Sequence, residues 1–182
     1  LVFYYLLNRY KKYTQAKIFL IGMSGWFYAY FNVSYLILLC ASVAVNYFFH
    51  CRMCREKHKT DIVTGVGFNL LLLCYFKYFD FFIENINMVF GASMPLKHIV
   101  LPLGISFFTF QQISFLVDTY RGEANRCGFT EYALFVVFFP QLIAGPIVTC
   151  GEMMDQFRDP ARKKPDMNYL TKGVMLFTLG LV

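Results

Sequence analysis

The chain has 182 residues, 58% of them hydrophobic and only 15% charged, with a formal net charge of +6. Soluble domains run to roughly 45–50% apolar and about 25% charged residues, and a soluble fold of this length carrying 22 Phe and 13 Tyr would expose large apolar patches. The composition excludes an ordinary water-soluble domain. Because the basic residues fall between apolar runs, the positive charge reads as membrane topology and not as a nucleic-acid surface.

Leu1 opens the short apolar run LVFYYLL, which is followed by charges and lacks the small-residue cleavage site of a signal peptide. Ala16 to Phe49 carries no charge after Lys17. At ~1.5 Å per residue this stretch would extend about 51 Å as helix, enough for two short or tilted crossings. It is predicted to divide at FNVS, Phe31 to Ser34, as a helical hairpin, with Trp26, Tyr28 and Tyr30 forming an aromatic belt before the turn. Ile62 to Phe79 is the third predicted crossing, and the small residues of TGVGF favour close helix approach. Phe81 to Ile99 is mixed and expected to lie partly along the interface. Leu101 to Val117 is the next predicted crossing and Tyr132 to Val148 the one after. GEMMDQF suits a short helix lying flat on the surface. The last run, YLTKGVMLFTLGLV, stops at Val182 short of the ~20 residues of a helical span. The chain is therefore expected to be a portion, cut at both ends, of a longer all-α polytopic membrane protein, with residues 1–182 in one domain.

Loop charge orients these segments. Arg9, Lys11, Lys12 and Lys17 precede the hairpin, and Arg52, Arg55, Lys57 and Lys59 follow it, so both loops are assigned to the cytoplasmic side. Arg121 and Arg126 fit that side, but a single crossing by 132–148 would put Arg158, Arg162, Lys163 and Lys164 outside. Pro140 and the pair Gly145–Pro146 also interrupt this helix and would leave backbone groups unpaired in lipid. Both difficulties ease if FVVFFPQLIAGPIV enters and turns back, so a broken or re-entrant segment is predicted.

Chemistry-bearing residues are sparse. On a helix, Gly104, Phe107, Gln111, Ser114, Asp118 and Arg121 form one stripe, with Ile105, Phe108, Phe115 and Leu116 opposite and Thr109 and Gln112 blurring the separation. Intramembrane polar groups face a bundle interior or a watered cavity, so the stripe either holds helices together or lines a substrate passage. Asp118 and Arg121 could also pair with each other at the helix end. His50, Cys51, Cys54 and His58 have a spacing that can hold zinc, but four basic residues surround them and a topogenic loop explains them better; Cys51 and Cys54 could also be acylated. Cys40 and Cys74 read as small core hydrophobes, and the six cysteines suggest no disulfide framework. His98 reads as a surface residue. No Ser–His–Asp set, Walker loop or dinucleotide fingerprint is found.

LPLGISFFTFQQISFLVDTYRGE and FVVFFPQLIAGPIV closely resemble membrane-bound O-acyltransferases, in their bacterial alginate O-acetyltransferase (AlgI-type) branch. SGWFYAYFNVSYLILLCASVAVNYFF, CYFKYFDFFIENIN and EMMDQF follow in the family's order, and the resemblance covers nearly the whole chain. It implies a multi-pass protein of the bacterial inner membrane with helices around a central tunnel. It also implies an acetyl group taken from a cytoplasmic donor, typically acetyl-CoA, and passed across the bilayer toward hydroxyls of an exported polysaccharide with help from an extracytoplasmic acetyltransferase partner. No bound cofactor and no nucleic acid are implied. The family's catalytic histidine sits in a Trp-His-Gly element downstream of the matched region, so no catalytic residue is assigned to this chain. Gln111, Gln141 and Gly145 lead the candidates for tunnel wall or support, with Ser114, Asp118, Arg121 and Pro146 beside them. A transporter or flippase-like protein and a non-catalytic scaffold of a cell-envelope complex are the rival readings.

Overall fold

The structure is a computed structural model that describes residues 2–91, 93–97, 99–124, 127–145, 148–159 and 166–181. Pro146, His98, Arg126, Arg162, Lys163 and Lys164 lie outside the described residues. Every regular element among the described residues is helical: α1 (Val2–Arg9), α2 (Tyr13–Phe31), α3 (Val33–Arg55), α4 (Lys59–Leu73), α5 (Phe79–Phe90), α6 (Ile105–Arg121), α7 (Phe129–Val137), α8 (Phe139–Ala144), α9 (Cys150–Arg158) and α10 (Met167–Leu181), with a π turn at Cys74–Tyr78 joining α4 to α5.

The predicted hairpin forms where expected. Asn32, in an extended conformation, serves both helices: its N–H donates to the Tyr28 carbonyl at the end of α2, and its Oδ1 accepts from the Ser34 N–H at 2.9 Å to cap α3. The third segment departs from expectation. The rod from Lys59 runs through the π turn to Phe90, and Gly91, at φ +62°, ends it. The expected crossing ended at Phe79, one residue before Asp80. The Asp80 carboxylate accepts the Lys97 and Ile99 backbone N–H groups at 2.9 and 3.2 Å, so the helix continues and the loop folds back onto it. Asn87 pins the same loop through a reciprocal pair with the Met94 backbone, and Tyr35 and Tyr28 donate to the Val100 and Leu103 carbonyls.

Among the described residues two helices, Val33–Arg55 and the 32-residue rod Lys59–Phe90, are long and apolar enough to cross a membrane. The α6 helix is different. It begins at Ile105, after Gly104 at φ +68°, and packs against α3, α4, α7 and α8. Ile105, Phe108, Phe115 and Leu116 are fully buried, so the arc opposite the predicted stripe makes protein contacts. Gly65 lets α4 come close: a Cβ there would lie 2.8 Å from Leu116 Cδ1. At the centre of the bundle Phe115 stacks on Tyr132 (ring centroids 4.3 Å), and Tyr47 also stacks on Tyr132 (5.8 Å). Two expected core cysteines, Cys40 and Cys74, are exposed instead, because the apolar runs that hold them turn only one face inward. Every described side chain of α10 is exposed.

Candidate functional site

The most irregular backbone in the bundle lies in the segment predicted to be broken. Helix α7 ends at Phe138, whose ψ of 100° leaves the helical region, and α8 restarts at once with Pro140 in its first turn, where the missing N–H costs nothing. One and a half turns later Gly145 is extended, and its N–H donates to the Gln141 carbonyl at 2.9 Å. The turn is closed so tightly that a Cβ on Gly145 would lie 2.6 Å from Gln141 Cγ, 2.7 Å from its Cα and 2.8 Å from its carbonyl oxygen. The chain then returns to the end of the bundle from which it came. Thr149 and Glu152 form a capping box that starts α9. Cys150 Sγ comes within 3.1 Å of Cys127 Sγ, and Arg158 bonds to Glu131 in the first turn of α7.

Glu131 is the hub of that closure. It accepts from Lys17 Nζ of α2 at 2.7 Å and from Arg158 Nε at 3.3 Å, with a second Arg158 nitrogen on its other oxygen. Burial pushes the Glu131 carboxyl upward, but the hydrogen bonds and charges of Arg158 and Lys17 outweigh it and hold the group below the usual carboxylate range. Three elements, α2, α7 and α9, are thereby tied at one end of the broken segment.

Between the outgoing and returning arms lies a cleft of about 470 Å³. Phe138, Pro140, Gln141 and Gly145 form its inner wall, Val148, Met153, Gln156 and Phe157 the returning side, and Tyr4 and Tyr5 of α1 the third wall. Its lining is aromatic and apolar with two glutamine amides, the mixture typical of small-molecule sites. Two sequence-picked candidates, Gln141 and Gly145, thus meet in one cleft.

The α6 stripe does not join them there. Gln111 is buried with its Oε1 unpaired, Ser114 is half-buried, and Asp118 is buried near the helix end, where its carbonyl accepts the Glu123 and Ala124 N–H groups. Arg121 is exposed, and among the described residues no ion pair within 4 Å joins it to Asp118. The residues expected to blur the stripe hold its most connected polar group. Gln112 Oε1 accepts from Ser42 Oγ at 2.8 Å and Asn46 Nδ2 at 2.6 Å, and Asn46 exchanges hydrogen bonds with Asn69 of α4. Ser42, Asn46, Asn69, Thr109 and Gln112 are each 1% exposed or less. This seam across α3, α4 and α6 was missed, although Ser42 and Asn46, one turn apart in an otherwise apolar helix, signal a polar face seeking a partner.

His50 turns inward, with Nδ1 2.8 Å from Thr119 Oγ1 and its ring 4.8 Å from Phe115, while Cys51 is exposed and His58 pairs with Glu56. Cys54 Sγ lies 3.7 Å from His50 Nε2. Among the described residues no three His, Cys, Asp or Glu side chains converge on a position that could hold a metal ion.

Comparison with known proteins completes the picture. The chain is 36% identical over 98% of its length to a peptidoglycan O-acetyltransferase of Helicobacter pylori. It is 36% identical over 91% of its length to the proteins named probable alginate O-acetylase AlgI of Pseudomonas aeruginosa and Azotobacter vinelandii. The chain matches one part of membrane-bound O-acyltransferase-like proteins. It spans 40% of the length of the Helicobacter relative and 33% and 35% of the other two. No protein-family profile and no solved structure matches the chain.

Proposed function

We propose that the chain is the N-terminal portion of a membrane O-acyltransferase that moves acetyl groups from a cytoplasmic donor, acetyl-CoA, toward hydroxyls of an exported cell-envelope polysaccharide. The observation that carries this reading is sequence identity over nearly the whole chain with proteins named for acetylating two different glycans, peptidoglycan and alginate. In this reading the hairpin, the long rod and α6 form a multi-pass bundle in the bacterial inner membrane. The end bearing Lys17, Arg52, Arg55 and Arg158 faces the cytoplasm.

The re-entrant segment supplies the chain's own contribution. Irregular backbone at membrane depth is tolerated where protein buries it or where it lines a cavity, and the cleft beside Gln141 and Gly145 meets that condition. Its glutamine amides would hydrogen-bond the amide-bearing arm of a thioester donor, and its aromatic walls would exclude water around it. The residues present here bind and orient. The histidine that would deprotonate the acceptor lies, on the family resemblance, downstream of this chain, and an extracytoplasmic acetyltransferase would complete delivery. A transporter reading gains nothing from the comparisons, since the relatives' names describe acetyl transfer.

The test is alkali-releasable O-acetyl ester in the cell envelope of a strain lacking the complete reading frame, with and without complementation. The expected result is loss of ester on deletion and recovery on complementation, with Gln141→Ala recovering less than a tenth at normal expression. Unchanged ester on deletion would reject the enzyme reading.

A further inference from the structure

The two ends of the re-entrant segment carry the two buried cysteines among the described residues, Cys127 just before α7 and Cys150 at the start of α9. Their Sγ atoms lie 3.1 Å apart although the residues are 23 positions apart in the chain. A disulfide needs sulfurs about 2 Å apart, so about 1 Å of closure separates this pair from a bond. Cys40, Cys51, Cys54 and Cys74 are all exposed. The two thiols are not equivalent. The hydrogen bond from Cys150 draws Cys127 below the usual thiol range against the opposing effect of burial, and the same bond together with burial pushes Cys150 up. The nearby Glu131 carboxylate pushes Cys127 up, and Arg158 and Lys17, both bonded to that carboxylate, push it down.

We propose that Cys127 and Cys150 form a reversible, peroxide-sensitive dithiol that staples the base of the re-entrant segment when oxidised. The Cys127 thiolate attacks one oxygen of hydrogen peroxide; the O–O bond breaks, hydroxide leaves and takes up a proton as water, and Cys127 becomes a sulfenic acid. The Cys150 sulfur then attacks the Cys127 sulfur; the S–O bond breaks, an S–S bond forms, and the hydroxyl departs with the Cys150 proton as a second water. Two thiols and one peroxide yield one disulfide and two waters, and the peroxide takes both electrons. Thiol–disulfide exchange with a low-molecular-weight thiol reverses the step. The placement gives the bond a consequence. The arm leaving Cys127 carries Phe138, Gln141 and Gly145, and the arm starting at Cys150 carries Met153 and Phe157. The staple therefore fixes the two facing walls of the cleft. The site rests on thiol geometry and stands whether or not the chain transfers acetyl groups.

The experiment uses the complete protein in native membranes exposed to hydrogen peroxide, then denatured in light N-ethylmaleimide, reduced, labelled with heavy reagent and digested. The expected result is joint protection of Cys127 and Cys150, a linked peptide in the non-reduced digest, and full reversal by dithiothreitol, with the four exposed cysteines carrying the light label. In Cys150→Ser, Cys127 is expected to stop as a dimedone-reactive sulfenic acid. In Cys127→Ser, Cys150 is expected to stay reduced. Independent labelling of the two thiols in the unsubstituted protein, or protection without the linked peptide, would overturn the proposal without reliance on either variant.

Discussion

Replacing Gly145 by alanine tests the re-entrant turn with one methyl group. The residue sits at φ −80° and ψ 158°, a conformation open to any amino acid, so backbone preference contributes nothing to the outcome. Space decides it. The added Cβ would meet three atoms of Gln141 at 2.6–2.8 Å, two of them backbone, and Cβ contacts under 3.0 Å essentially do not occur. The Gln141 side chain can swing away, but its Cα and carbonyl oxygen cannot move without opening the 2.9 Å bond from the Gly145 N–H. Overpacking of this kind costs about 1–3 kcal/mol, and relief would pull Gln141 away from the cleft wall. Thermal unfolding of the detergent-solubilised complete protein reads the first effect, and envelope O-acetyl ester reads the second. Both are expected to fall. Gly22→Ala is the control, since its Cβ meets nothing within 4 Å, and alanine there is expected to be neutral or stabilising by up to ~1 kcal/mol. A Gly145→Ala protein with melting and acetylation equal to the unsubstituted protein would refute the argument that this turn is sterically closed and shapes the cleft.

Three further outcomes follow from the same geometry. Gln112→Leu strips acceptors from Ser42 Oγ and Asn46 Nδ2 and is expected to cost about 1–2 kcal/mol, toward the lower end for a buried orphaned donor because the Gln112 Nε2 was itself unpaired. Gln111→Leu removes an unpaired Oε1 and should cost less, so paired melting curves of the two variants check which glutamine holds the helices together. Glu131 has a depressed folded-state pKa, so its contribution to stability is fully present above its ordinary titration range and fades as the pH falls through the folded value. Glu131→Gln should flatten that acid limb in a pH-dependent melting series and lower stability near neutrality by about 1–2 kcal/mol, between an exposed pair and a buried charged bond. Asn32→Ala removes the α3 cap while leaving the hairpin's apolar contacts, and a melt should register a loss of about 1 kcal/mol.

Local signals were legible in the sequence where their physical cause was local. Asn32 could be read as the hairpin hinge because its capping partners, Tyr28 and Ser34, lie within four residues. Pro140 could be read as a break because a proline ring acts on its own helix. The end expected at Phe79 was overrun because the N–H groups that satisfy the adjoining Asp80 belong to Lys97 and Ile99, 17 and 19 positions later. The glutamines show the same limit. Periodicity grouped Gln111 with Ser114 and Asp118, and nothing within α6 favours Gln112. Only the juxtaposition of Ser42, Asn46 and Asn69 from two other helices makes Gln112 the bonded member.

Arg158 is the instructive middle case. Its place outside after a single crossing was, with Arg162, Lys163, Lys164 and the interruptions at Pro140 and Gly145–Pro146, one of the difficulties that a broken or re-entrant segment would ease. In the structure the 131–158 ion pair and the 127–150 sulfur contact bring the chain after α8 back beside the start of α7. An unpaired guanidinium has few tolerable places near a bilayer while an apolar side chain has many, so charge placement and hydrophobic periodicity constrain different residues. The carboxylate that receives it sits in the first turn of α7, the arm whose direction was in question.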